Sequence, residues 1–255
     1  MQISTEGLIL REQNIGESDR LVTVLTREEG RLRAFVRGAK NIKNKNCTAT
    51  QLLCYSRLNL YKGREKYIID DSEPIEVFFE LRRDIERMAL AQYFCELALA
   101  LAPEEAEAGD FLRLMLNAFY YLAHGKRPQK QIKAVVEMRM LSMAGYMPDL
   151  VGCRECGSYE SPEMLFLPKS GGIVCSACGR PEGEMVLPLS PGVLTALRHT
   201  IYAAFDKIFA FSLSDAGLTA LCRASERYLL CQLERDFKTL DFYRQLCPPE
   251  KSEAN

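Results

Sequence analysis

Four of the ten cysteines have the spacing of a metal site. They form two Cys-x-x-Cys pairs, Cys153 with Cys156 and Cys175 with Cys178, separated by eighteen residues and each followed by glycine. Four thiolates at this spacing can surround one tetrahedral Zn²⁺ and leave no open coordination position. A redox-active pair is the alternative, but two copies without a thioredoxin-like βαβ pattern argue against it. The spacing therefore predicts one structural Zn²⁺ per chain.

A basic stretch at residues 31–45 is the second candidate site, with six basic residues and no acidic one. Its first residues alternate as in a β-strand, which would place Leu32, Ala34 and Val36 in a core. The opposite face and the following loop would carry Arg31, Arg33, Phe35, Arg37, Lys40, Lys43 and Lys45. Cations with an aromatic ring among them suit a nucleic-acid strand.

A second alternating stretch adds to this surface. The remaining candidates for nucleic-acid contact are Tyr55, Arg57, Tyr61, Lys62, Arg64 and Lys66. We expect the basic residues to bind phosphates, and Phe35, Tyr55 and Tyr61 to stack on bases. A solvated strand face, or a core role for one of the three rings, is the alternative.

The distribution of charge supports a cationic module. The net charge of the chain is -1, yet residues 27–66 hold eleven Lys or Arg and three Asp or Glu. The rest of the chain holds 22 basic and 31 acidic residues. Such a separation is typical of a protein in which one part binds a polyanion.

The order of the predicted elements indicates an α+β protein. Short strands divided by turns occupy residues 4–72 and predict a small antiparallel barrel, with an OB-fold as first candidate and an SH3-like barrel as alternative. Helices follow from Pro74 onward. We expect a barrel domain at residues 1–76 and a helical domain at residues 77–247. The zinc-binding insertion would lie at about 150–186, and a flexible tail at residues 248–255.

The sequence shows no pattern of an active site. The two histidines, His124 and His199, are near no Cys, Asp or Ser motif, and no phosphate-binding glycine loop follows a strand. The start of the chain lacks a signal-peptide pattern, and residues 88–102 are too short an apolar run to span a bilayer. We predict a cytoplasmic protein that is not an enzyme, with no membrane or small-molecule partner.

Several fragments resemble the RecO family of bacterial repair and recombination mediators. In the first module these are TEGLILR from Thr5, GESDRLVTVLT from Gly16 and GRLRAFVRGAK from Gly30. The run from Val136 to Gly157, with the first cysteine pair, is similar to zinc-containing members, and LSPGVLTALR from Leu189 is similar to the helix that follows.

This resemblance implies an N-terminal OB-fold, a helical domain and a zinc-binding insertion. It implies binding of single- and double-stranded DNA, annealing of complementary strands, and recombinase loading on DNA coated by single-strand binding protein. The implied partners are RecR and the C-terminal tail of single-strand binding protein, and the implied location is the nucleoid. Lys126, Arg127, Lys130 and Lys133 are basic candidates in the helical domain, and we predict a solvated helix face for them in preference to a binding role.

Three other functions are kept as alternatives. The basic barrel of an adaptor would bind an acidic protein surface without annealing DNA. An OB-fold protein could also bind RNA. A redox enzyme built on the cysteine pairs would show thiol turnover.

Overall fold

A computed structural model of the chain describes residues 2–41, 43–63 and 66–247, which form two compact units. The first unit contains the described residues up to His124 and those from Phe237 onward. The second unit is Gly125–Asp236. Candidate residue Arg64 and the predicted tail at residues 248–255 lie outside the described residues.

The first unit contains a closed five-stranded barrel in the order β1-β2-β3-β5-β4. β3 and β5 are parallel, and the other neighbouring strands are antiparallel. The barrel is OB-like, as the sequence predicts. The strands are β1 (Gln2–Ile15), β2 (Asp19–Thr26), β3 (Arg31–Val36), β4 (Tyr55–Lys62) and β5 (Tyr67–Glu76).

Side chains alternate along β3, so every second one points into the core of the barrel. Leu32, Ala34 and Val36 are buried, whereas Arg33 is exposed and Phe35 is half-buried. Residues from all five strands complete this apolar core, among them Ile9, Val22, Val24, Leu58, Leu60, Tyr67 and Ile69. The predicted division of the basic strand into a core face and an outer face is confirmed.

One predicted boundary of the barrel is wrong. The sequence predicts strands up to residue 72 and helices from Pro74 onward, but β5 continues through Pro74 to Glu76. Proline is tolerated there beside a register shift at Tyr55 and Ser56. A short helix, α1 (Asn46–Ala49), follows the basic loop and precedes β4.

Three longer helices belong to the same unit: α2 (Ile85–Leu101), α3 (Gly109–His124) and α7 (Lys238–Leu246). A 3₁₀ turn at Phe79–Arg83 precedes α2, whose first turn is capped by the Asp84 carboxylate. α7 begins against α2, where Glu96 accepts hydrogen bonds from the backbone and hydroxyl of Thr239.

The second unit packs three helices with a small sheet. The helices are α4 (Gln129–Met143), α5 (Pro191–Tyr202) and α6 (Asp215–Leu233). The strands β6 (Met164–Leu167), β7 (Gly172–Cys175) and β8 (Leu187–Leu189) lie in the order β7-β6-β8. β6 and β7 form an antiparallel hairpin. α6 ends at Leu233, and the next residue, Glu234, has a left-handed φ of 47°.

The α+β class, the barrel followed by helices, and the inserted four-cysteine motif are confirmed. The domain division at residue 76 stays a prediction. The two compact units have other boundaries, because α2, α3 and α7 pack in the same unit as the barrel. Among the described residues, no helix is long and apolar enough to cross a membrane.

Candidate nucleic-acid interface and metal centre

The four predicted metal ligands lie together. The Sγ atoms of Cys153, Cys156, Cys175 and Cys178 are all within 4.8 Å of one another. Cys153 and Cys175 are buried, whereas Cys156 and Cys178 are exposed. This group could hold a metal ion, and four sulfur donors suit Zn²⁺.

The backbone wraps around each cysteine pair. Gly157 and Gly179 have φ values of 73° and 89°, a conformation that favours glycine. The amide of Gly157 donates to the Cys153 carbonyl at 2.8 Å, and the amide of Cys178 donates to the Cys175 carbonyl at 3.1 Å. The glycines after each pair therefore let the chain turn back, as their positions in the sequence predict.

The surroundings of the cluster shift the pKa values of Cys153 and Cys178 in opposite directions. Burial alone would raise the pKa of Cys153, but backbone N–H donors from Cys175, Cys156 and Glu155 outweigh it and lower this pKa to about 6. Sulfur contacts from Cys175, Cys156 and Cys153, together with burial, raise the pKa of Cys178 to about 12. The first thiolate is therefore stabilised by the backbone, whereas further thiolates require a cation to offset their repulsion.

The hairpin of β6 and β7, whose last residue is Cys175, packs against α6. Phe166 of β6 packs against Tyr228, with ring centroids 5.6 Å apart. The amide of Gln232 donates to the carbonyls of Pro168 and Lys169, each at 3.0 Å. The cysteine cluster consequently lies beside a hairpin that is itself part of the helical packing.

The two aromatic candidates Phe35 and Tyr61 lie in one row across the outer face of the barrel. Phe35 of β3 is paired in register with Ile68 of β5, and Ile68 is paired with Tyr61 of β4. Phe35 and Ile68 are half-buried, and Tyr61 is 55% exposed. At a strand spacing of about 4.8 Å, the Cα atoms of Phe35 and Tyr61 are roughly 10 Å apart. Sequence reasoning missed Ile68, because the parallel pairing of β3 and β5 leaves no local signal.

Cations adjoin this row. The Lys66 Nζ atom lies 5.3 Å from the centroid of the Phe35 ring. Five of the predicted basic residues make no ion pair with a carboxylate anywhere in residues 2–41, 43–63 and 66–247, namely Arg33, Arg37, Lys40, Lys43 and Lys66. Lys40 donates to the Gly16 carbonyl at 2.9 Å, and Arg37 helps to lower the pKa of Asp19 after the Gly38 amide and the Ser18 hydroxyl.

Four other predicted basic residues already have acidic partners. The ion pairs are Arg31 with Glu104 at 2.8 Å, Lys45 with Asp71 at 2.6 Å, Arg57 with Glu6 at 3.3 Å and Lys62 with Glu29 at 4.0 Å. Tyr55 also differs from the other two rings, because its hydroxyl donates to Glu6 at 2.7 Å. Burial and this contact raise the pKa of Tyr55 to about 12.

Arg11 is a basic residue that sequence reasoning missed. In a regular strand Arg11 would share the inward face of Ile9, but the register of β1 and β2 shifts between these two residues. Arg11 is therefore exposed, and it pairs with Thr23, which pairs in turn with Arg33. The bulge, which alternation cannot reveal, extends the cationic face from β3 across β2 to β1.

The prediction of a solvated position for Lys133 is wrong. Its side chain is 1% exposed and lies 2.6 Å from Glu137 and 2.7 Å from Glu226. Burial alone would lower the pKa of Lys133, but Cys222, Glu137 and Glu226 outweigh it and raise this pKa. Lys133 thus joins α4 to α6 and is not a surface cation.

Two family models match the chain. The model described as Recombination protein O N terminal matches residues 1–78, and the one described as Recombination protein O C terminal matches residues 82–241.

Curated relatives cover nearly the whole chain. The DNA repair protein RecO of Acetivibrio thermocellus is 33% identical over 244 residues, or 96% of this chain and 97% of the relative. That of Symbiobacterium thermophilum is 33% identical over 242 residues, with 94% and 95% covered. That of Dehalococcoides mccartyi is 29% identical over 237 residues, with 92% of each chain covered.

Both halves of the chain thus match in the order found in the family. The family consists of DNA repair mediators and not of catalytic enzymes, in agreement with the expectation from the sequence. The chain belongs to the RecO family of DNA repair and recombination proteins.

Proposed function

We propose that this protein is a recombination mediator that binds single- and double-stranded DNA on the outer face of its barrel. It anneals complementary strands and assists recombinase loading on DNA coated by single-strand binding protein. The observation that carries this proposal is the row of Phe35, Ile68 and Tyr61, with Arg33 and Lys66 beside it.

The chemistry of annealing fits such a surface. No bond is made or broken, so the protein must only reduce the repulsion between two polyanions and hold bases accessible. Cations on the barrel neutralise phosphates, and Phe35 and Tyr61 stack on bases without reading sequence. In this mechanism the Lys66 ammonium leaves the Phe35 ring and binds a phosphate, so that the ring is free to stack on a base. The lost cation–π contact costs about 0.5–1 kcal/mol at an exposed site.

Five phosphate contacts are proposed for the cations without an acidic partner. On single-stranded DNA, five contacts give a slope of log K against log salt of about -3.5, which is roughly a hundredfold loss between 50 and 200 mM salt. Arg31, Lys45, Arg57, Lys62 and Arg64 belong to the wider proposed surface. The four basic residues that form ion pairs contribute less to DNA affinity, because a phosphate must compete with a carboxylate for each of them.

The proposed role of the cysteine cluster is to hold one structural Zn²⁺. Four thiolates would bind the ion, and the ion would tie the two cysteine pairs to the β6–β7 hairpin. Residues 150–186 carry three basic and five acidic side chains, which disfavours a direct phosphate contact. A structural role is supported by the attachment of the hairpin to α6 through Gln232.

The proposed partners are RecR and the acidic C-terminal tail of single-strand binding protein, in the cytoplasm at the nucleoid. The proposed domains are a DNA-binding barrel at residues 1–76 and a helical domain at residues 77–247. A basic barrel that binds a protein or RNA partner instead is the alternative.

The test is annealing of complementary oligonucleotides, bare and coated with single-strand binding protein, at 50 and 200 mM salt. We expect salt-sensitive annealing that persists on coated strands and is weakened by Arg33→Gln. Arg223→Gln is the matched control, because Arg223 is an exposed arginine of α6 in the other unit. Absence of binding to either strand at low salt would overturn the proposal and favour the adaptor.

A further inference from the structure

One end of the cationic face is bordered by three carboxylates, which we call the acidic rim: Glu29, Glu104 and Glu105. Arg31 makes its ion pair with Glu104, and Lys62 makes its ion pair with Glu29. The pKa of Lys62 is raised, first by its contact with the Tyr67 hydroxyl and further by Glu29 and Glu105. The three carboxylates of the acidic rim thus outnumber the two cations, Arg31 and Lys62, at this end of the barrel.

The rim is fixed to the barrel by backbone contacts. The Arg31 amide donates to the Pro103 carbonyl at 2.8 Å, and the Ala108 amide donates to the Arg27 carbonyl at 2.7 Å. Gly30 has a φ of +62°, and a Cβ there would meet the carbonyl oxygens of Pro103 and Ala106 at 2.5 and 2.6 Å. The loop between α2 and α3, which carries Glu104 and Glu105, therefore approaches the β2–β3 turn as closely as a glycine at position 30 permits.

Glu105 occupies a backbone conformation that residues other than glycine and asparagine seldom adopt. Glu105 has a φ of 53°, which is left-handed, and its side chain is exposed. Glycine or asparagine would hold this conformation with less strain. Glutamate instead carries a carboxylate whose negative charge adds to the raised pKa of Lys62, and no apolar packing accounts for it at an exposed position.

We propose that the acidic rim excludes the phosphate backbone from the Arg31 and Lys62 end of the barrel and so confines a bound strand to the side of Arg33, Lys66 and Lys43. This inference rests on the proposed function, since it names the border of the same DNA-binding surface. Like charges repel phosphates at the rim, whereas Arg33, Lys43 and Lys66 have no acidic partner among the described residues.

Two consequences follow for the bound strand. Arg31 and Lys62 add little to affinity in the native protein, because their charge is already offset. The strand runs over Phe35 and Lys66 toward the basic loop and does not continue over the β2–β3 turn.

The test uses the rim variant Glu104→Gln/Glu105→Asn and a control variant Glu107→Gln/Glu160→Gln. Both lose two negative charges, but the control residues are exposed positions outside the rim. Asparagine suits the left-handed backbone at residue 105, so the rim variant should fold. Affinity for oligo-dT is measured by fluorescence anisotropy at several salt concentrations.

We expect the rim variant to bind several-fold more tightly at 50 mM salt than the control. Its salt slope should be steeper by about 0.7 for each cation released to contact a phosphate. Photo-crosslinking with 4-thiothymidine should label residues around Phe35 and Lys66 in the native protein, and additionally residues around Arg31 in the rim variant.

The outcomes separate the two proposals. If Arg33→Gln weakens binding while the rim variant matches its control in affinity, slope and crosslinks, the rim proposal fails and the DNA-binding surface stands. If the native protein shows no salt-sensitive DNA binding, both fail.

Discussion

Phe35 and Tyr61 lie two strands apart on the barrel and are connected in register through Ile68. β3 and β4 are not neighbours, because β5 inserts between them. Two aromatic residues that are 26 positions apart in the sequence therefore share one apolar row on a cationic face.

Loss of either ring should weaken single-strand binding. Phe35→Ala and Tyr61→Ala each remove a stacking surface worth about 1–3 kcal/mol per base, which is about five- to 150-fold in affinity. The effect should persist at 300 mM salt, where phosphate contacts are weak. Tyr55→Phe is the control, because the Tyr55 hydroxyl contacts Glu6. An equal loss for all three variants would contradict the row as the stacking surface.

Replacement of a metal ligand should destabilise the second unit. Cys175→Ser removes one of the four proposed Zn²⁺ ligands, and binding of this ion is worth about 10–16 kcal/mol in small zinc peptides. We expect one zinc per chain in the native protein by elemental analysis, loss of zinc in the variant, and a lower melting temperature. Cys231→Ser on α6, outside the cluster, should keep its metal. Native protein purified without chelator and lacking zinc would contradict the assignment.

Lys133→Met should be costly, because it leaves the buried carboxylate of Glu137 without its cation. Removal of one partner of a buried pair lowers the free energy of unfolding by about 3–5 kcal/mol. Lys130→Met on the same helix removes a less buried amine that donates to Thr219, and should cost no more than about 1 kcal/mol. Urea unfolding measures both, and equal losses would refute the structural role of Lys133.

The carboxylate of Asp19 should give the barrel an acid-sensitive component. The Gly38 amide and then the Ser18 hydroxyl lower the pKa of Asp19. A lowered folded-state pKa means that the stabilisation is complete above the unfolded value of about 3.9 and is lost as the pH falls through the folded value. Asp19→Asn should thus be less stable than the native barrel at pH 7, with the difference shrinking by pH 3. Hydrogen exchange of barrel amides measures this, and a difference independent of pH would contradict it.

Features set by local periodicity were predictable from the sequence. The alternation of Leu32 with Arg33 assigns the two faces of β3 without knowledge of its neighbours. The spacing of Cys153 and Cys156 likewise specifies a turn that brings two thiols together.

Features set by distant pairing were not predictable. Ile68 enters the aromatic row through parallel pairing, and Arg31 meets Glu104 from a loop more than seventy positions away in the sequence. Lys133 is buried because carboxylates on two helices surround it, which no window of residues around it reveals.

The place of α7 in the first unit has a consequence for synthesis of the protein. Phe237 packs on Tyr93 with ring centroids 6.0 Å apart, and Thr239 is held by Glu96. The first unit therefore includes a helix that follows residues 125–236 in the sequence. It cannot complete its packing until the ribosome has also synthesised the second unit.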